Sequence, residues 1–423
     1  MDDAGASLQA EMTAMGRAAK AAAQTLRLAD ASTRTRAIAA MARAVRAQAD
    51  EILAANASDV GAAQAAGLAP AMVDRLVLDE TRLESMAGAL ETVAAISDPV
   101  GQEIARWTRP NGLDIARVRT PIGVIGIIYE SRPNVTADAA ALCLRAGNAV
   151  ILRGGSECLA SNLAIHAALA EALRQEGLPE ACAQIVRTPD RAAVGLMLSG
   201  LDGAIDLIIP RGGKSLVARV QAEARAPVLG HLEGLNHVFL HASADLQKAI
   251  EVTVNAKMRR VSVCGAAETL LVDRTAAGRL LPPVAGALEA AGCELRGDAA
   301  ARAIQPMAEA TDADWTTEYL APVMSVAVVD GVQGAADHIA RYGSGHTDAV
   351  VAEDPGAAET FADLVDSAIV LINASTQFAD GGEFGFGAEI GIATDRLHAR
   401  GPVGAEQLTT YKYVVRGSGQ TRP

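Results

Sequence analysis

Between residues 122 and 229, short β-branched runs alternate with helix-patterned segments, and this alternation limits the possible folds more than any other feature of the chain. Strands are expected at 123–129, 149–153, 183–187, 204–209 and 228–229, with helices near 134–146, 158–176, 190–199 and 213–225. The strands are apolar along their length, as in a parallel sheet covered on both faces. A second alternation follows, with helices at 244–260, 276–291, 332–342 and 356–366 and strands at 269–272, 325–329, 349–351 and 368–372. The stretch 229–244 reads as the crossing between two sheet domains. Residues 8–97 read as a helical layer, with Ile38, Met41, Val45 and Ile52 on one stripe, Ser32 or Thr33 as a cap, and a break at Gly67 and Pro70. Segments 113–120 and 409–415 alternate in the strand period but belong to neither rhythm. Each is expected as a ribbon strand available to another subunit.

The chain has 423 residues, enough for about three domains as a prior and for a core that needs no staples. Its 37 basic and 50 acidic side chains leave a net charge of −13, which argues against nucleic acid and anionic membranes as partners. Five cysteines with no C-x-x-C pair form neither a disulfide framework nor a standard zinc motif. Met1, Asp2 and Asp3 carry no positive charge of the kind that opens a secretory signal, and the apolar run 122–129 is far short of the ~18 residues of a spanning helix. A cytoplasmic, reducing setting is expected.

Several familiar signatures fail. Gly213-Lys214-Ser215 has Ile208 where a P-loop needs glycine, and His231, Glu233 and His237 match no zinc spacing, so no metal is expected. Three strand ends are more informative. The first runs Tyr129-Glu130-Ser131-Arg132-Pro133-Asn134, with Asn134 placed to cap the next helix. The others run into paired glycines: Arg153-Gly154-Gly155-Ser156-Glu157 and Arg211-Gly212-Gly213-Lys214-Ser215. Paired glycines before a helix N-terminus let backbone approach a phosphate, and the carboxyl ends of parallel strands are where such sheets bind ligands. Cys264 follows three cations, Lys257, Arg259 and Arg260, and cations near a thiol favour the nucleophilic thiolate. Cys143, Cys158, Cys182 and Cys293 read as core or helix-end residues without special neighbours.

The segments YESRPNVT (129–136), GNAVILRGGSE (147–157), IIPRGGKSL (208–216), PVLGHLEG (227–234), AETLLVD (267–273), EYLAPV (318–323), YGSGHTDA (342–349), NASTQFADGGEFGFGAEIGIATDRLHARGPVG (373–404) and LTTYKYVVRG (408–417) resemble the γ-glutamyl phosphate reductases, a family of the aldehyde dehydrogenase superfamily. The resemblance covers about residues 8–417. It implies an aldehyde-dehydrogenase-like α/β fold of two doubly wound parallel-sheet domains plus a small β oligomerisation arm. The NADPH-binding domain would take 1–106 and 121–228, the catalytic domain 229–402, and the arm 107–120 and 403–423. The implied reaction is NADPH-dependent reduction of L-glutamate 5-phosphate to L-glutamate 5-semialdehyde and phosphate, in proline biosynthesis. Family positions map onto Cys264 as nucleophile and Asn134 as oxyanion donor. Arg153, Gly155, Ser156, Glu157, Arg211, Gly212, Gly213, Ser215 and Glu318 fall on the cofactor side. Arg132, Lys257, Arg259 and Glu233 are candidates for substrate contact. A homo-oligomer and functional coupling to glutamate 5-kinase are also implied. One departure is Gly265, where the family often carries asparagine after the nucleophile. The alternatives are another aldehyde or acyl-CoA reductase or dehydrogenase of the superfamily, and a non-catalytic nucleotide-binding or assembly protein.

Overall fold

The computed structural model describes residues 3–231 and 233–422. Met1 and Asp2, which entered the signal argument, Leu232 in the PVLGHLEG segment, and Pro423 at the end of the expected arm lie outside the described residues. The chain forms two compact units, residues 1–230, 386–391 and 403–423 in the first and 231–385 and 392–402 in the second.

The first unit begins with five helices, Asp3–Leu28, Ala31–Ala47, Ala49–Ala65, Pro70–Leu76 and Glu80–Ala95. The cap of the second is Asp30, whose carboxylate accepts from Thr33 N at 2.6 Å, not the expected Ser32 or Thr33. Ser32 instead donates its hydroxyl to Asp30. A carboxylate accepts the helix's open N–H more strongly than a hydroxyl. The break at Gly67 and Pro70 is observed. Gly67 has φ +72°, Leu68 N reaches back to Ala63 O at 3.1 Å, and Pro70 opens the next helix at a position that needs no N–H.

The sheet of this unit has four parallel strands in the order Ala183–Ile185, Ala149–Arg153, Val124–Tyr129, Leu207–Arg211. The expected strand at 228–229 is reduced to one bridge, Ile208 to Val228. Successive strands step one way from Val124–Tyr129, and the last returns to its other side. The order therefore reverses between Val124–Tyr129 and Leu207–Arg211, where doubly wound sheets form a ligand crevice at their carboxyl ends.

A separate antiparallel sheet joins Glu103–Thr108, Asp114–Pro121 and Thr409–Arg416. The two expected ribbon strands do pair, from Thr409 opposite Pro121 to Arg416 opposite Asp114. The third strand, Glu103–Thr108, lies in a stretch that showed no strand signal. Only Ile104 and Trp107 are large and apolar in it, and its register shifts between Glu103 and Ala105.

The second unit is built on a seven-stranded parallel sheet in the order Ala308–Glu309, Glu294–Gly297, Val323–Val329, Ala267–Asp273, Asn236–Leu240, Thr347–Val351, Ile369–Ile372. Residues 229–244, expected as a crossing, contain the interior strand Asn236–Leu240, buried along its whole length. The polar pair Asn236 and His237 disguises it: inside the protein the Asn236 amide donates to two carbonyls and the His237 Nδ1 lies 2.8 Å from Asp348 Oδ1. The helix Ala277–Ala290 runs through Pro282 and Pro283. Leu280, Leu281, Val284 and Leu288 bury one face of it, and that packing offsets the lost backbone bonds. On the opposite side of the sheet, Phe361 is fully buried and stacks on Phe239 with ring centres 5.9 Å apart. Phe361→Ala is expected to cost about 3–5 kcal/mol through lost burial and the remaining cavity. Denaturant titration of parent and variant checks this, and a loss below about 1 kcal/mol would mean that the site collapses around the smaller side chain.

Candidate active site

In the first unit, the polar strand ends converge at the reversal of strand order. Ser131 follows the Val124–Tyr129 strand with φ +41°, a region few non-glycine residues adopt. Glu157 holds it there, its Oε1 accepting from Ser131 N at 2.8 Å and Ser131 Oγ at 2.7 Å. Glu130 reaches the other glycine turn, where its Oε2 accepts from Gly213 N at 2.8 Å. Arg153 is nearly buried and donates to Gly154 O at 2.8 Å and Pro189 O at 3.0 Å. Its buried Nε has no acceptor among the described residues. The guanidinium of Arg211 lies against Gly391, while Ser156, Gly212, Ser215 and Arg132 are exposed.

Asn134 was expected to cap the helix Val135–Arg145. It adopts helical backbone angles, makes no side-chain cap bond, and donates its amide N–H to Asp138 Oδ2 at 2.9 Å. Burial pushes the Asp138 carboxyl up to about 6, against the opposing pull of the Asn134 amide and the Arg211 charge.

In the second unit, the notable residues precede parallel strands rather than follow them. Cys264 stands just before Ala267–Asp273, His346 directly before Thr347–Val351, and Glu318 before Val323–Val329. The segment 231–235 leads into Asn236–Leu240, with Glu233 half-buried in it. Gly234 N donates to Glu318 Oε1 at 2.9 Å. A Cβ on Gly234 would lie 2.1 Å from the Cys264 carbonyl oxygen, so only glycine allows this approach. Asn236 Nδ2 donates to the same carbonyl at 2.6 Å and to Ala266 O at 2.9 Å.

Cys264 is half-buried, whereas the other four cysteines are buried. Burial pushes the thiols of Cys158 and Cys182 up to about 12 and that of Cys293 up to about 11, and it raises Cys143 as well. The neighbours of Cys264 differ from expectation. Lys257 does not face outward; it is fully buried and donates to Glu268 Oε2 at 2.5 Å. Its charge meets that of a buried acid. Arg259 is exposed and donates to Gln377 Oε1 at 3.3 Å. The groups gathered near the thiol are imidazoles, with one ring nitrogen each of His231 and His346 and the Cys264 sulfur all within 4.8 Å of one another. In the sequence His346 stands in the YGSGHTDA segment of the family resemblance, but nothing local places it beside the thiol, which it reaches through strand order.

The aldehyde dehydrogenase family model matches residues 3–319. The gamma-glutamyl phosphate reductase of Caulobacter vibrioides is 74% identical over 413 residues, 97% of this chain and 100% of that one. The corresponding protein of Hyphomonas neptunium is 64% identical, over 99% and 98% of the two chains. The chain belongs to the gamma-glutamyl phosphate reductases. Among solved structures, that of the Thermotoga maritima member superposes with a TM-score of 0.95 at 44% identity, over 98% of this chain and 100% of that chain. An acetylating aldehyde dehydrogenase from Geobacillus thermoglucosidasius, at 18% identity and a TM-score of 0.70, matches over the full length of both chains and shares the fold. The aldehyde-dehydrogenase-like α/β architecture expected from the motifs is therefore the one observed, and the chain is an oxidoreductase of this family.

The raised Asp138 carboxyl has a consequence for stability. The folded protein keeps its proton up to about pH 6, while the ordinary value is 3.8. Between those values the folded state binds more protons than the unfolded chain, so stability falls as pH rises through the window. Asp138→Asn is expected to flatten that slope and to gain up to about 3 kcal/mol above pH 7. Melting temperatures of parent and variant across this range test it, and parallel pH profiles would contradict it.

Proposed function

We propose that this chain reduces L-glutamate 5-phosphate to L-glutamate 5-semialdehyde with release of phosphate, using NADPH and a thioester on Cys264, as a step of proline biosynthesis. The placement of Cys264 carries the reading: it is the one half-buried thiol, the other four being buried, on a turn fixed by Gly234 and Asn236. The substrate follows from the family to which the chain belongs.

An acyl phosphate is an activated acyl donor, so no water needs to be activated. The Cys264 thiolate attacks the carbonyl carbon, the carbonyl oxygen takes the negative charge, and the phosphate leaves with the C–O bonding pair. A thioester remains on Cys264. We assign the Asn134 amide as a donor to the oxyanion, a role worth about 3 kcal/mol in other acyl-transfer sites. Asp138 orients that amide. Arg153 suits the phosphates of NADPH: its guanidinium is held by two carbonyls, and its Nε remains a buried donor with no acceptor among the described residues. When bound, NADPH supplies the hydride to the acyl carbon. Cys264 then departs as thiolate and the aldehyde is released. We place Glu318 at the nicotinamide ribose and Ser156, Glu157, Arg211 and Ser215 on the cofactor side. Arg132, Arg259 and Glu233 remain proposed substrate contacts.

The reverse assay tests the reaction, with glutamate semialdehyde, NADP⁺ and phosphate followed by nicotinamide absorbance. Turnover should depend on phosphate; turnover driven by coenzyme A instead would assign the chain to an acyl-CoA chemistry. Cys264→Ala should abolish turnover and leave NADPH binding nearly intact, whereas Cys143→Ala or Cys293→Ala should stay within a few-fold of the parent. Asn134→Ala should lower turnover roughly 100-fold with a smaller effect on cofactor binding.

We also propose a homo-oligomer in the cytoplasm, joined through the three-stranded sheet. On that sheet Tyr411, Tyr413, Val415 and Trp107 are all more than one-third exposed, an apolar surface along an open strand edge. Truncation after Gly404 should release monomers or give insoluble protein. Light scattering that finds the intact chain monomeric and active would overturn this assembly. Coupling to glutamate 5-kinase follows from the same reading, since that class of enzyme makes the acyl phosphate.

A further inference from the structure

The imidazoles beside Cys264 have a chemistry of their own. His231 Nδ1 lies 2.7 Å from Ile392 O. A carbonyl only accepts, so Nδ1 carries a proton and is the donor of this bond. His346 is fully buried; its Nδ1 lies 2.9 Å from Thr347 Oγ1, and its buried Nε2 meets no partner among the described residues. An unsatisfied imidazole nitrogen in a protein interior is costly, and such a group calls for an explanation. The two rings meet edge to face with centres 4.9 Å apart.

We propose that His231, His346 and Cys264 form a binding site for a borderline-soft divalent cation, Zn²⁺ in particular, with a fourth position left to water. Two imidazoles and a thiolate are donors that such a cation prefers. The donor atoms lie within 4.8 Å of one another. Tetrahedral zinc with bonds of about 2.0–2.3 Å needs donor separations of about 3.3–3.6 Å, so closure by about 1 Å completes the site. Each ring has its Nδ1 engaged, that of His231 by a carbonyl and that of His346 by a hydroxyl, the kind of outer contact that orients a metal-binding imidazole. On binding, the Cys264 S–H gives its proton to solvent, the sulfur–metal bond forms, and nothing is oxidised or reduced. The sequence hid this site because its ligands lie at 231, 264 and 346. Binding stands on this geometry alone. Its consequence, reversible inhibition by occupation of the nucleophile, rests on the reading of Cys264 given above.

The test is Zn²⁺ titration of the chelator-treated full-length chain against a metallochromic indicator, with iodoacetamide labelling of Cys264 followed by mass spectrometry. One Zn²⁺ per chain is expected, with slower labelling of Cys264 when it is bound. Affinity should fall at least tenfold in His231→Ala and in Cys264→Ser. His346→Ala opens a buried space, so His346→Gln is the companion variant, and a melting curve confirms that each is folded. Co²⁺ should give a thiolate charge-transfer band in the parent that Cys264→Ser lacks. Unchanged Zn²⁺ affinity in the folded variants, or no binding by the parent, would overturn the site. Zn²⁺ bound with these signatures but without loss of turnover would keep the site and remove the nucleophile reading instead.

Discussion

The carboxamide of Asn236 holds together segments that are far apart in the chain. Its Nδ2 donates to Cys264 O and Ala266 O, and its Oδ1 accepts from Thr347 N at 3.1 Å, across 111 residues. The side chain is fully buried, so each bond forms without competition from water and its loss would strand a buried polar group. Three strands of the second unit are thereby fixed at their amino ends: its own, the one after Cys264, and the one after His346. Aspartate would fit the space but would set a carboxylate oxygen against the two carbonyls. Gly234 completes the clamp, since the Cys264 carbonyl stands where its Cβ would be. The turn carrying the thiol is thus held by backbone contact on one side and an amide on the other, the rigidity a reacting group requires.

The same edge of that sheet buries charge. Lys257 and Glu268 pair in the interior, and desolvation pushes the Glu268 carboxyl up to about 7 despite the neighbouring ammonium. Asp348 accepts from His237 N and lies 2.8 Å from the His237 ring nitrogen, with the Ser367 hydroxyl on its second oxygen. Removing one partner of such a set is far more damaging than never having had it, because the other charge is left in a low dielectric. These groups therefore constrain the amino edge more tightly than apolar packing alone.

Elements whose signal is local were legible in the sequence. The strand–helix alternation located both sheets, and the 113–120 and 409–415 segments pair as their alternation implies. Asn236–Leu240 was missed because a buried strand that opens with Asn and His shows no apolar run until its partners are known. Lys257 was misplaced for the converse reason: three cations in sequence look alike, and only Glu268 on the adjoining strand shows which one faces inward. His346 stood in a segment of the family resemblance, but no local pattern tied it to the thiol. Its place beside the thiol depends on Thr347–Val351 lying next to Asn236–Leu240, a fact of strand order rather than of spacing.

The paired glycines give the clearest case of a signal whose physical cause differs from its first reading. In the sequence they suggest backbone cleared for a phosphate. In the folded unit, a Cβ on Gly155 would meet Glu157 Oε1 at 2.1 Å, and one on Gly212 would meet Glu130 Oε2 at 2.5 Å. The helix Leu159–Gln175 is likewise closed by a carboxylate, Asp59 accepting from Ser161 N at 2.7 Å. The protein's own acids therefore occupy amides that a P-loop would turn toward an anion. The buried Nε of Arg153, by contrast, is a donor without an acceptor among the described residues. The Arg153 guanidinium, fixed by two carbonyls, has a planar and directional set of donors that a lysine ammonium would not reproduce.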